Sequence, residues 1–130
     1  MTQKLAMIAL LVDDYDRALA YFVDKLGFEK KDDKRLSAAK RWVTVVPPGA
    51  TSGLLLARAA NERQREAIGN QSGGRVFLFL ETDNFERDHE KYLQMGVKFV
   101  EPPREESYGK VAVFEDIYGN RWDLIQPWAS

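Results

Sequence analysis

The sequence predicts an α+β domain made of two βαβββ modules in tandem, and three observations predict it. The first is an internal repeat. Ala6 to Asp14 is an apolar run closed by two acidic residues, followed by a helical stretch and Gly27; Arg75 to Asp83 repeats the plan, ending at Gly96. Asp14 to Gly27 and Asp83 to Gly96 both span 13 positions. A repeat of this length implies two similar units, each burying an apolar face. The second observation is a switch of period within each copy, from a short apolar run to a helical stripe. The third is Asp116-Ile117-Tyr118-Gly119-Asn120, a turn between two β-patterned segments.

Each element has its own justification. Ala6–Val12 is apolar throughout and predicts a first strand buried on both faces. Asp14 is placed to accept the orphan N–H groups of a helix start. Tyr15, Ala18, Leu19, Phe22, Val23 and Leu26 then fall on one helical stripe. Gly27 ends that helix in the left-handed conformation, and Phe28 opens the next strand. Arg41–Val46 is a strand stopped by Pro47-Pro48-Gly49, and Gly53–Ala57 is another. Within the connecting stretch, Asn61 to Ile68 can form a short polar helix, and Gly69 to Gly74 reads as a flexible loop beside the pocket. In the second copy Asp83 is the matching N-cap. Phe85, His89, Tyr92 and Leu93 form a weaker stripe, Gly96 ends it, and Val97–Val100 starts the next strand. Lys110–Glu115 and Arg121–Gln126 are the closing strands. The expected organisation is a single domain over 1–130, with modules at 4–58 and 75–127 joined by 59–74.

Composition narrows the function. The 130 residues are 45% hydrophobic and 30% charged, the balance of an ordinary globular chain. Nineteen basic and 20 acidic residues leave a net charge of −1, so no global field attracts nucleic acid or an anionic membrane. No cysteine is present, which excludes disulfides, thiolate metal sites and a cysteine nucleophile. A single histidine, His89, excludes a three-His zinc site or a two-His iron triad within one chain. The seven-residue run Ala6–Val12 is too short to span a bilayer and lacks a cleavage site, so a cytoplasmic location is expected.

Three stretches carry a family resemblance. Val12-Asp13-Asp14-Tyr15-Asp16-Arg17-Ala18-Leu19-Ala20-Tyr21-Phe22 resembles the first strand-to-helix turn of the vicinal oxygen chelate superfamily (glyoxalase I, bleomycin-resistance and extradiol dioxygenase proteins). Lys25-Leu26-Gly27-Phe28 resembles its helix end, and Phe114 to Ile125 its closing hairpin. The resemblance covers nearly the whole chain. It implies that the two sheets curve into an open-barrel cup that holds a ligand, and that the chain forms homodimers. It also implies four cup-facing positions where the family's enzymes bind a divalent metal. Here those positions hold Met7, Leu55, Phe77 and Asp123, of which only Asp123 is a competent ligand. One carboxylate does not hold a catalytic ion against water, so no metal cofactor is expected.

The same residues have a positive meaning. By strand alternation, Phe77 and Phe79 share the cup face while Val76, Leu78 and Leu80 face the helices. Met7 brings Ala9 and Leu11 to the cup, and Arg121 shares a face with Asp123. The expected ligand contacts are Met7, Trp42, Leu55, Phe77, Phe79, Tyr108, Arg121 and Asp123, an apolar, aromatic pocket with a few polar groups. The bland alternative is that these side chains simply fill a barrel interior. The function expected is metal-independent binding of an apolar or aromatic organic molecule, in the manner of bleomycin-resistance proteins. The alternative is a glyoxalase-like lyase or isomerase, or a dioxygenase-related enzyme with a non-standard site, using Asp123 with Arg121 or Tyr108. Val43, Val45 and Trp128 are candidate dimer contacts, although Trp128 can equally fold back on its own domain.

Four further features carry less. His89 sits among charged neighbours and reads as a helix-boundary residue rather than a base. Arg63, Arg65 and Arg75 could hold an anion or form a solvated patch balanced by Glu62 and Glu66. Tyr108 lines the cup rim or covers the core edge. Asp13-Asp14-Tyr15-Asp16 lacks the glycine and distal glutamate of a calcium loop and reads as a helix start.

Overall fold

A computed structural model of the protein describes residues 1–129. The chain divides into two compact units, Met1–Ile68 and Gly69–Ser130. The first contains β1 (Met7–Val12), α1 (Tyr15–Leu19), β2 (Glu29–Arg35), β3 (Arg41–Val46), β4 (Gly53–Arg58) and α2 (Glu62–Ala67). Its sheet runs β1-β4-β3-β2, with β1 parallel to β4 and the other pairs antiparallel.

The Asp14 carboxylate accepts the Arg17 N–H at 2.8 Å and starts α1. The helix does not stay α. Ala20–Lys25 is π-helical, with the Leu26 N–H donating to the Tyr21 carbonyl five residues back. Widening the turn lets consecutive Tyr21 and Phe22 both be buried, their rings perpendicular at 5.1 Å. Gly27 then takes φ 77°, and the Phe28 N–H donates back to the Phe22 carbonyl, closing the expected glycine cap.

α1 packs against β3 and β4. The covered face of the sheet carries Leu10, Val12, Val43, Val45, Leu54 and Leu56, all buried. Each such side chain contributes about 1.5–3 kcal/mol. The expectation that β1 is buried on both faces fails for its first half, where Met7, Ile8 and Ala9 are exposed. Burial begins only at Leu10, and β1 is also an edge strand of its sheet, paired on one side alone. β2 forms the other edge with the charged sequence Glu-Lys-Lys-Asp-Asp-Lys-Arg, which discourages further strand pairing.

The second unit contains β5 (Val76–Glu81), α3 (Phe85–Gln94), β6 (Lys98–Phe99), β7 (Arg104–Glu106), β8 (Gly109–Glu115) and β9 (Arg121–Pro127). Its sheet runs β5-β9-β8-β6, with β7 also on β8, and β5 parallel to β9 repeats the β1–β4 pairing. The N-cap of α3 is Asn84 and not Asp83: the Asn84 side chain accepts the Arg87 N–H at 3.1 Å. Asp83 instead pairs with the Arg87 guanidinium. The turn after β5 is one residue longer than the turn after β1, so the residue next to the first helical position is the asparagine. Gly96, at φ 81°, ends α3 as expected.

The β8–β9 turn is pinned by Asp116, which is buried. Its carboxylate accepts the N–H groups of Tyr118 (2.9 Å) and Asn120 (3.1 Å), the Asn120 amide (3.0 Å) and the Trp122 indole N–H (3.0 Å). His89 stacks on Phe85 at 5.5 Å and meets the Phe99 ring edge-on at 4.6 Å. Burial, and secondarily Lys110, lowers its pKa, with Glu86 opposing. The residues offered as dimer contacts are engaged within the chain. Val43 and Val45 lie on the covered sheet face, and the Trp128 indole N–H donates to the Glu106 carbonyl at 2.7 Å. Among the described residues, no helix is long and apolar enough to cross a membrane.

Candidate functional site

Each sheet has helices on one face, and the candidate residues lie on the other. In the first unit the register places Ala9 beside Leu55 and Leu55 beside Thr44, with Met7 and Trp42 on the same face two residues away along their strands. The Thr44 hydroxyl, buried on this face, donates to the Asp32 carboxylate at 2.8 Å. A cleft of about 620 Å3 reaches this face, and its apolar lining joins Trp42, Leu55 and Ala57 from it with Leu56 and with Tyr15 of α1. Trp42 and Leu55 are thus brought together; Met7, 38% exposed, lies outside the cleft wall.

Four cations also line the cleft: Lys40, Arg41, Arg58 and Arg65. Arg41 is committed to structure. Its guanidinium pairs with Asp33 at 2.7 Å and Asp16 at 2.9 Å and lies 5.1 Å from the Tyr15 ring centre. The hydrogen bonds from Arg41 hold the Asp33 carboxyl below the usual carboxylate range. Arg65 pairs with Glu62 at 3.2 Å. Gln64 closes one end of the cleft by accepting the Ala60 N–H at 2.7 Å.

In the second unit Phe79, Asp123 and Val113 stand in one row across β5, β9 and β8. Phe79 is 68% exposed, whereas Asp123 beside it is only 5% exposed. The Asp123 Oδ1 has no hydrogen-bond partner among the described residues. Burial raises the Asp123 pKa; Arg104 opposes the shift and Glu101 adds to it. Arg104, opposite Val111 on β7, is itself held by Glu106 at 2.8 Å and Glu101 at 3.0 Å. The site therefore places a buried carboxyl with a raised pKa next to an exposed aromatic ring.

The other expected contacts are placed differently. β5 has a register shift at Phe77: Val76 lies opposite Arg121 and Leu78 opposite Trp122. Strict alternation does not carry across such a shift, which sets two residues of β5 against one step of β9. Arg121 lies 3.9 Å from Glu115, and Tyr108 is exposed in the turn before β8. Neither is a hydrogen-bond partner of the Asp123 Oδ1. Residues that sequence reasoning missed are Lys40, Arg58 and Arg104. Only Arg104 left a signal, as the first residue of a short charged stretch just before a strand, and that stretch reads as loop unless its pairing with β8 is known.

The donor set does not fit a catalytic metal. Met7 is a thioether, and Leu55 and Phe77 have no donor atom. Among the described residues, no three His, Cys, Asp or Glu are grouped so as to hold an ion.

Comparison with known proteins agrees with this architecture. A protein of Shewanella frigidimarina (strain NCIMB 400) is 54% identical over 128 residues, covering 97% of this chain and 95% of its own. The crystal structure of UcmS2 superposes with a TM-score of 0.82 at 29% identity, over 96% of this chain and 98% of that one. TnmS3, an antibiotic binding protein from Streptomyces sp. CB03234, superposes with a TM-score of 0.81 at 26% identity, over 98% of both chains. The model of the Glyoxalase/Bleomycin resistance protein/Dioxygenase superfamily matches residues 4–124. With that match over nearly its whole length, and with a βαβββ sheet in each unit to support it, the chain belongs to the glyoxalase/bleomycin resistance protein/dioxygenase superfamily.

Proposed function

We propose that this protein is a metal-independent small-molecule binding protein that holds an apolar or aromatic organic ligand. The observation that carries the reading is the cleft of about 620 Å3 in the first unit, walled by Trp42, Leu55, Ala57 and Tyr15. A concave space of this size, with an apolar and aromatic wall beside charged groups that can fix orientation, suits a drug-sized molecule. The similarity to TnmS3, an antibiotic binding protein, supports the same reading. The metal positions support it from the other side, since Met7, Leu55 and Phe77 leave Asp123 as the lone hard donor. The protein works in the cytoplasm as a homodimer on this proposal.

A second reading, a lyase or isomerase, draws on Asp123. A buried carboxyl with a raised pKa can donate a proton or a hydrogen bond to a substrate carbonyl. The two readings part in one experiment. Purified protein is supplied with zinc, nickel or manganese, its metal content is measured, and its melting temperature is followed with chelator and with a panel of aromatic compounds. The binding reading expects well under one equivalent of metal, no loss of stability with chelator, and stabilisation by an organic compound that Trp42→Ala weakens. Stoichiometric metal, or turnover that depends on it, would refute that reading.

A further inference from the structure

We propose that the cleft of the first unit selects ligands that join an aromatic body to an acidic group, such as an aromatic carboxylate, with Lys40 and Arg58 as the residues that hold the anion. The proposal rests on the binding function proposed above and names the ligand class of that same cleft. Four cations line the cleft and no carboxylate does. Two of the four are neutralised from behind: Arg41 by Asp33 and Asp16, and Arg65 by Glu62. Lys40 and Arg58 have no ion pair or side-chain hydrogen bond among the described residues. The Asp32 carboxylate, which accepts the Thr44 hydroxyl, is not among the residues that line the cleft. The cleft is therefore left with uncompensated positive charge in a chain whose net charge is −1.

Both cations are mounted on fixed backbone. The Lys40 carbonyl accepts the N–H groups of Leu36 (2.8 Å) and Ser37 (3.1 Å), and its own N–H donates to the Ser37 hydroxyl at 3.1 Å. Arg58 is the last residue of β4, in register with Val12, and the following Ala59 N–H donates to the Val12 carbonyl at 3.0 Å. In the same cleft Trp42, Leu55 and Ala57 offer aromatic and apolar surface, while the Tyr15 ring is buried beneath the Arg41 guanidinium. Guanidinium and ammonium groups bind carboxylates through charge-assisted hydrogen bonds, which a neutral isostere cannot reproduce. Because Lys40 and Arg58 are exposed, the preference weakens with salt.

Three matched probes test this: 2-naphthoate, neutral 2-naphthylmethanol and cationic 2-naphthylmethylammonium, each titrated into 15N-labelled protein at low ionic strength with amide shifts recorded. The expected result is shifts concentrated at residues 40–42 and 57–60, with the acid bound about tenfold more tightly than the alcohol and the ammonium weakest. Lys40→Gln with Arg58→Gln should bring the acid-to-alcohol ratio close to one, while Lys91→Gln on α3 should leave that ratio unchanged. Equal affinity of the acid and the alcohol for the unaltered protein would overturn the anion assignment and leave the binding function standing. Absence of any probe from the cleft would overturn both.

Discussion

Replacing Asp123 with valine should make the protein more stable at neutral pH. Asp123 sits between Phe79 and Val113 in the sheet, is 5% exposed, and has an Oδ1 with no partner. A buried polar atom without a hydrogen bond costs about 1–3 kcal/mol, and more when charged. Valine has one fewer side-chain heavy atom, carries no polar atom and suits a strand, so Asp123→Val should gain about 1–3 kcal/mol; each 1 kcal/mol raises the melting temperature of a chain this size by roughly 3–5 °C. The pH dependence gives an internal check. Burial raises the folded-state pKa, so the folded protein binds more protons at this site than the unfolded chain does. Stability of the wild type therefore falls as pH rises from the unfolded value of about 3.9 through the raised folded one, then levels off. The advantage of valine should be smallest at acid pH, grow through that window and be greatest above it. Calorimetric melting of both proteins across that range measures the difference directly. A valine variant that melts below the wild type at pH 7, or a difference that shrinks as pH rises, would refute the reasoning and assign Asp123 a stabilising partner.

Two other outcomes are expected. Asp116→Ala strands the N–H groups of Tyr118, Asn120 and Trp122 in the buried β8–β9 turn, and should cost about 2–4 kcal/mol in urea unfolding, whereas an exposed carboxylate such as Glu105 changed to alanine should cost under about 0.5 kcal/mol. Light scattering at micromolar concentration should find twice the chain mass of 14.9 kDa; a mass equal to one chain would remove the homodimer, for which Val43 and Val45 are buried within the chain and Trp128, 46% exposed, stays a candidate contact.

Local chemistry alone determined the repeat, the helix ends and the strand centres of this protein. Gly27 and Gly96 stop their helices because a left-handed residue is needed there and glycine supplies it at least cost, and that requirement involves only neighbouring residues. Arg41–Val46 is bounded by Pro47-Pro48, and the structure keeps those bounds. The lack of metal donors at Met7, Leu55 and Phe77 was likewise legible, since it depends on side-chain chemistry rather than geometry.

Tertiary structure decided what depends on which residue lies across a strand or over a helix. The register shift between Val76 and Leu78 is a property of the β5–β9 pair and leaves no mark in β5's own sequence, so alternation cannot be counted across it. The π-helical turn at Ala20–Lys25 comes from burying Tyr21 and Phe22 together, which a stripe of α period does not register. The cleft's charge was hidden for the same reason. Lys40, Arg41, Arg58 and Arg65 are scattered over 26 positions, and only the fold brings them together and sets Asp33, Asp16 and Glu62 against two of them, leaving Lys40 and Arg58 to face the cleft uncompensated. Charge balance in a site is a sum over neighbours in space, and a chain's order does not contain those neighbours until it folds.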